Sequence, residues 1–156
     1  MPLPQNHSVA TLQDHVGHDF GVASATLLDQ PRIDHFAECT GDHQWIHVDV
    51  ERARRETPFG NTIAHGLLLL SLIPAAQYEL GVYPADATNV LNYGFEKVRF
   101  LAPVPAGSRV ALRVELAAVE PKGSGRTLVR CRNTGFIDGA PERPVMVAES
   151  MAMVLA

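Results

Sequence analysis

Gly66 to Ala76 reads GLLLLSLIPAA, the most apolar run in the chain and the one whose reading decides the fold. It is far too short to cross a bilayer, which takes about 20 residues as a helix. Its apolar residues fill all sides rather than one stripe, so the helix it forms is buried nearly all round. The pattern predicts a helix from His65 to about Leu80, with Pro74 inside it as a kink or a loosened turn. Such a helix needs a large surface wrapped around it.

The second half of the chain supplies that surface. TNVLNYGFEKVRFLAPV (88–104), SRVALRVELAAVE (108–120), GRTLVRCRNTGFI (125–137) and RPVMVAESMAMVLA (143–156) are β-rich or alternating. Turn residues separate them at Pro105-Ala106-Gly107, at Pro121 to Gly125 and at Asp138 to Pro141. Val110, Leu112, Val114 and Leu116 share one face by period-2 spacing, while Arg113 and Glu115 share the other. Consecutive strands joined by short turns make an antiparallel sheet, so the fold class is α+β, with helices gathered on one side of the sheet.

Upstream, GHDFGVASATLL (17–28) is β-leaning and leads into a short helix. Asp29 caps that helix, Pro31 suits its first turn, and Ile33, Phe36 and Ala37 form its apolar face. Gly41 ends it, which leaves Asp42 just past a helix C-terminus. A second short helix is expected over residues 48–57 with Asp49 as its cap. Residues 1–16 read as an irregular arm, and 17–156 as a single domain.

At 156 residues the chain can bury roughly two-thirds of its unfolded surface. With 46% hydrophobic and 19% charged residues it is globular, and a net charge of -4 gives no reason to expect nucleic acid or an acidic membrane as partner. Cys39 and Cys131 form no CxxC pattern, and the N-terminus lacks the basic start and apolar run of a signal peptide. A soluble cytoplasmic protein with free thiols is the expectation.

TGDHQWIHVDV (40–50) carries the candidate chemistry. If the segment after Gly41 curls back, Asp42 and His47 converge, and a carboxylate and an imidazole facing one water can take a proton from it and supply one elsewhere. An imidazole suits this because its unperturbed pKa, near ~6.5, makes both protonation states reachable in the cell. The alternative is a capping Asp42 and a partly buried polar His47. His43, His47 and Asp49 could ligate a metal, but they share no fixed face and no HExxH or Cys pair supports them, so no metal is expected. No GxSxG elbow surrounds Ser71, no His neighbours the cysteines, and no GxGxxG or P-loop is present. At His65-Gly66 a helix N-terminus offers free N–H groups that could stabilise a carbonyl oxygen gaining charge, or Gly66 simply permits tight packing. Ser71 either reaches the same cavity or bonds back to its own helix.

Phe36 to Ser71, FAECTGDHQWIHVDVERARRETPFGNTIAHGLLLLS, resembles the signature of the MaoC-like, R-specific enoyl-CoA hydratases. That pattern is F-A-x-x-(S/T)-G-D-x-x-x-(I/L)-H-x-D followed by F-G-x-x-I-A-H-G and an apolar helix. NYGFEKVRFLAPVPAGSRV (92–110) is similar to the family's next strand and turn, and the likeness extends from about residue 17 to the C-terminus. The resemblance implies a hot-dog fold, an antiparallel sheet wrapped around one central helix at residues 65–80. It implies Asp42 and His47 as the catalytic pair, with Gly66, His65 and Ser71 on the thioester side. Asp42 is the simpler choice for accepting the water's proton, although the pattern leaves the two roles open. Many relatives carry Pro where this chain has Trp45, which implies a reshaped pocket mouth with the pair kept.

The implied reaction is hydration of trans-2-enoyl thioesters of coenzyme A, or of acyl-carrier protein, without metal or redox cofactor. A homodimer joined sheet edge to sheet edge is also implied. Lys97 and Arg99, alternating with Val98 and Phe100, could meet the carrier's anionic part or form a solvated face. The competing readings are a hot-dog thioesterase and a non-catalytic acyl-CoA-binding subunit. The GD-x4-H spacing argues against the first, and the intact Asp42, His47 and Gly66 against the second.

Overall fold

In the computed structural model, which describes residues 3–156, the β-leaning N-terminal stretch forms β1 (Asp19–Val22) and β2 (Thr26–Leu28). Helix α1 (Gln30–Thr40) starts and stops on the expected signals. The Asp29 carboxylate accepts from the Arg32 N–H, and Gly41 closes the helix at φ 79° with its N–H on Ala37 O. A single turn, α2 (Trp45–Val48), follows, then α3 (Val50–Glu56), capped by Asp49.

The apolar run does form a helix, in two pieces: α4 (Gly66–Ser71) and α5 (Ile73–Glu79). The expected kink is a break at Leu72. Pro74 sits in the first turn of α5, where its missing N–H leaves no carbonyl without a donor. Leu68, Leu69, Ile73 and Ala76 pack in one core with Val110, Leu112, Met146 and Ala148.

Those last residues belong to the sheet, completed by β3 (Asn89–Phe100), β4 (Ser108–Gly123), β5 (Arg126–Ile137) and β6 (Pro144–Leu155). Every pairing is antiparallel, in the order β1-β4-β5-β6-β3, with β2 also on β4. Val110, Leu112, Val114 and Leu116 are all buried and Arg113 is exposed, as period-2 spacing requires. The sheet curls around α4 and α5, the hot-dog arrangement.

Residues 1 and 2 of the expected arm lie outside the described residues. The rest of the arm is irregular only in part: Val9–His15 form a 3-10 helix whose Leu12 is fully buried with Phe20, Val114, Leu116 and Val154. Leu12, with Val9 packed on the same core, anchors a segment that otherwise looks polar. Among the described residues no helix is long and apolar enough to cross a membrane.

Among the described residues β3 pairs on one side only, with β6. Its alternation fails where the register shifts between Glu96 and Arg99 and Lys97 takes φ 52°. That bulge, invisible in the sequence, breaks the common face expected of Lys97 and Arg99. Lys97 instead pairs with Glu149 at 2.8 Å, and Arg99 donates to the carbonyl of Val98.

Candidate active site

The chain turns sharply between α1 and α2 because Gly41 takes a left-handed conformation that other residues adopt only with strain. The turn brings Asp42 back over α2. Gln30 braces it from α1, donating to the His47 carbonyl at 2.8 Å and accepting from the buried Thr62 hydroxyl at 2.5 Å. Ile63 N–H donates to Ile46 O, and Ala64 N–H to Val104 O, so the segment before α4 is sewn to both α2 and the connection between β3 and β4.

Within this frame each imidazole has a defined tautomer. His47 is buried, and its Nδ1 lies 2.7 Å from the Ile63 carbonyl. A carbonyl only accepts, so Nδ1 carries the proton and Nε2 keeps the lone pair. His65 is the mirror case: its Nε2 lies 2.9 Å from the main-chain carbonyl of Asp42, so Nε2 is the protonated nitrogen and Nδ1 the acceptor. That Nδ1 is buried without a hydrogen-bond partner. The two rings stack, with centroids 3.8 Å apart and planes 27° from parallel.

Asp42, His47 and His65 each bring a carboxylate oxygen or ring nitrogen within 4.8 Å of the others. Burial pushes the His47 pKa below its usual 6.5, against the raising effect of the Ile63 carbonyl; His65 lowers it further and Asp42 raises it. The ring is therefore held as a neutral base at physiological pH. The Asp42 carboxylate and the free Nε2 of His47 can each accept a hydrogen bond, which suits a water bridging them.

A metal fits this set less well. An ion would sit about 2.0–2.1 Å from each nitrogen, in the plane of each ring. Two nearly parallel rings 3.8 Å apart do not aim their lone pairs at one point that near. Of the other metal-ligand candidates in the sequence, His43 is exposed beside Glu38, at 3.9 Å, and Asp49 is occupied capping α3. Nucleophilic cysteine chemistry is also disfavoured, since burial pushes the Cys131 thiol up to about 12.

His47 and Gly66 open onto an apolar cleft of about 320 Å³, lined also by Ile63, Leu69, Phe100 and Pro103. Gly66 begins α4, so no helix carbonyl accepts its N–H. A methyl group there would come within 2.9 Å of the Phe100 ring, so glycine is required for the ring's close approach. Ser71 is not brought to the pair. Its hydroxyl donates to Leu68 O at 2.7 Å, and it lines a separate groove with Leu67, Leu70, Pro74, Asn92 and Phe95. Trp45 is not among the residues lining the cleft; its ring packs under the Arg52 guanidinium at 4.1 Å.

Sequence reasoning missed the supports: Gln30, Thr62 and the Ile63 carbonyl. Gln30 and Thr62 look like ordinary surface residues in the sequence, and a main-chain carbonyl carries no side-chain signal at all. Only the nearness of Ile63 to His65 hints that this segment faces the pair.

Comparisons with known proteins bear on the family to which the chain belongs. The model for the MaoC like domain matches residues 11–134. The 3-hydroxyacyl-thioester dehydratase Z of Mycobacterium tuberculosis is 42% identical over 96% of this chain and 97% of its own length. Nodulation protein N of Rhizobium leguminosarum bv. viciae is 38% identical over 94% of this chain and 91% of its own. Among solved structures, the R-hydratase PhaJ1 of Pseudomonas aeruginosa superposes with a TM-score of 0.72 at 27% identity, covering 90% of this chain and 81% of that one. With the matched domain spanning most of the chain, and the relatives' likeness running nearly end to end, the chain belongs to the MaoC-like domain family.

Proposed function

We propose that this protein is a hydro-lyase that adds water across C2=C3 of trans-2-enoyl thioesters to give (R)-3-hydroxyacyl thioesters, and runs the reverse dehydration. The observation that carries the reading is the meeting of the Asp42 carboxylate with the imidazole of His47, whose ring also lines an apolar cleft. The dehydratase name of the mycobacterial relative supports the reaction class.

In this reading the thioester carbonyl accepts from the Gly66 N–H, which draws electron density from C3. One water donates hydrogen bonds to Asp42 and to Nε2 of His47. Its oxygen bonds to C3 while Nε2 takes its proton, and the imidazolium returns a proton to C2, so both hydrogens of the water end on the product or its hydroxyl. Where the sequence pattern points to Asp42 for the first transfer, the Ile63 carbonyl favours His47, because it keeps the lone pair on Nε2. Asp42 then orients the water and stabilises the imidazolium. Ser71 receives no step. The cycle is written without metal or redox cofactor.

Coenzyme A is the assigned carrier, with acyl-carrier protein as the substitute, and the unpaired Cys39 and Cys131 fit the reducing cytoplasm in which we place the protein. We assign a homodimer through β3, whose long free edge carries exposed Leu91, Tyr93 and Phe100 beside exposed Leu67 of α4. Unpaired strand edges with apolar side chains favour association. Crotonyl-CoA tests the activity: loss of the enoyl absorbance without release of free thiol, and an R product, are expected. Thiol release would replace this reading with hydrolysis, and an inert enzyme would favour the binding-subunit reading.

A further inference from the structure

Four parts of the chain meet on His65, which is only 2% exposed. Its Nε2–H donates to the main-chain carbonyl of Asp42 at 2.9 Å. One ring face lies on His47, with centroids 3.8 Å apart, and Phe36 of α1 packs against the ring at 5.0 Å. Its own backbone opens α4 and accepts from the Leu68 and Leu69 N–H groups. A residue needed only to fill this space could be any apolar side chain of that size. Imidazole provides in addition a donor aimed at one member of the pair and a flat face laid on the other.

We propose that His65 is a positioning residue that fixes the separation of Asp42 and His47: it tethers Asp42 through its main-chain carbonyl and sets the plane of the His47 ring by stacking. The proposal rests on the reading of Asp42 and His47 as the reacting pair. Asp42 is exposed on a tight turn, and apart from His65 it is held by two long hydrogen bonds, its N–H donating to Thr40 Oγ1 at 3.4 Å and its Oδ1 accepting from the Gln44 N–H at 3.3 Å. The His47 ring is held at one edge by the Ile63 carbonyl, and the stack on His65 supports its face. Loss of either restraint shifts reacting atoms by a fraction of an ångström to an ångström, and a 1 Å misplacement costs on the order of a hundredfold in rate.

The test compares wild type with His65→Gln, His65→Phe and His65→Leu, all checked for folding by circular dichroism. Gln keeps a donor for the Asp42 carbonyl but no ring; Phe keeps a ring for the stack but no donor; Leu keeps neither. With crotonyl-CoA the expected kcat losses are about tenfold for Gln and Phe and about a hundredfold for Leu, with KM within threefold of wild type. The Leu variant also loses the nearby imidazole that depresses the His47 pKa, so the acidic limb of its kcat/KM profile moves to higher pH.

Folded variants with kcat within twofold of wild type, or an equal loss in all three, would overturn the proposal. An inactive wild type would count against the proposed reaction and not against this role. NMR titration of the His47 ring in wild type and His65→Leu then decides it: an altered titration supports the coupling, and an unchanged one overturns it.

Discussion

Two clusters of polar side chains in this fold are wired in opposite ways. At the centre of the helix–sheet core, Gln77 of α5 donates to Asn133 Oδ1 and Ser150 Oγ and accepts from the Tyr83 hydroxyl, at 2.7 to 3.0 Å. Asn133 completes the set by donating to the carbonyls of Cys131 and Ala148. Every group has a partner, and burial raises the Tyr83 pKa far from the physiological range. The second cluster is Asp42, His47 and His65. It brings a carboxylate oxygen and two ring nitrogens within 4.8 Å and leaves the Nδ1 of His65 without a partner. A saturated network locks a core, whereas an unsaturated one leaves a place for something to bind and react.

His7, His15 and His18 also carry buried, unpartnered ring nitrogens. Their rings gather about Phe20 and each other rather than about a carboxylate. Among the described residues only the Asp42 cluster combines an open acceptor set, a carboxylate and metal-ligand spacing. An unpartnered nitrogen alone is therefore not the signature; its convergence with a carboxylate is.

The contrast makes predictions that separate turnover from stability. The largest effect falls on the pair itself. Asp42→Asn should lose on the order of a hundredfold in kcat. Combined with His47→Gln it should lose little more than the worse single variant, because the two act as a unit; steady-state kinetics on the three proteins measures this. Fully additive losses would mean the residues act separately.

Gln77→Leu should do the reverse. It strands the Tyr83 hydroxyl and Asn133 Oδ1, while Ser150 Oγ keeps the Asn133 amide, at a cost of about 2–4 kcal/mol in urea unfolding. Activity per folded molecule should stay within about twofold, since Gln77 does not line the cleft.

The pH dependence is a further discriminator. The His47 pKa is lowered in the folded protein, so at pH values between its folded and unfolded values the unfolded chain binds more protons. Stability from this group is thus fully present above about 6.5 and declines as pH falls through the unfolded value and on to the folded one. The rate follows the same ring: kcat/KM should hold below pH 6.5 and then fall, about tenfold per pH unit, as Nε2 becomes protonated. Unfolding and rate profiles measured from pH 4 to 8 would expose a mismatch.

The smallest effect is expected at Arg52→Ala. It removes the guanidinium from the Trp45 ring and the ion pair with Glu56, both at the surface. A change of about 0.5–1 kcal/mol, with kcat unaltered, is the expected outcome of denaturant and kinetic measurements.

How much of this was legible in the sequence follows from the range of each interaction. The caps of α1 and α3 were readable at Asp29, Gly41 and Asp49 because capping is decided within a few residues. The buried helix and the sheet were readable from periodicity, whereas the spacing after Gly41 left Asp42 and His47 open and only the family resemblance singled them out. What escaped depends on distant partners. The Ile63 carbonyl sets the His47 tautomer from 16 residues away. The bulge at Lys97 answers to β6. Ser71 back-bonds to Leu68 rather than joining the pair, an outcome the sequence left open. Leu12 anchors the N-terminal segment to strands far along the chain.

The most direct test of the central claim sets His47→Gln beside Gln77→Leu, measuring crotonyl-CoA turnover and the urea midpoint of each in one experiment. His47→Gln should lose at least about a hundredfold in kcat with a midpoint near wild type, and Gln77→Leu should lower the midpoint with kcat retained. If His47→Gln loses stability in step with activity while turnover per folded molecule survives, the open cluster is structural and the account is wrong.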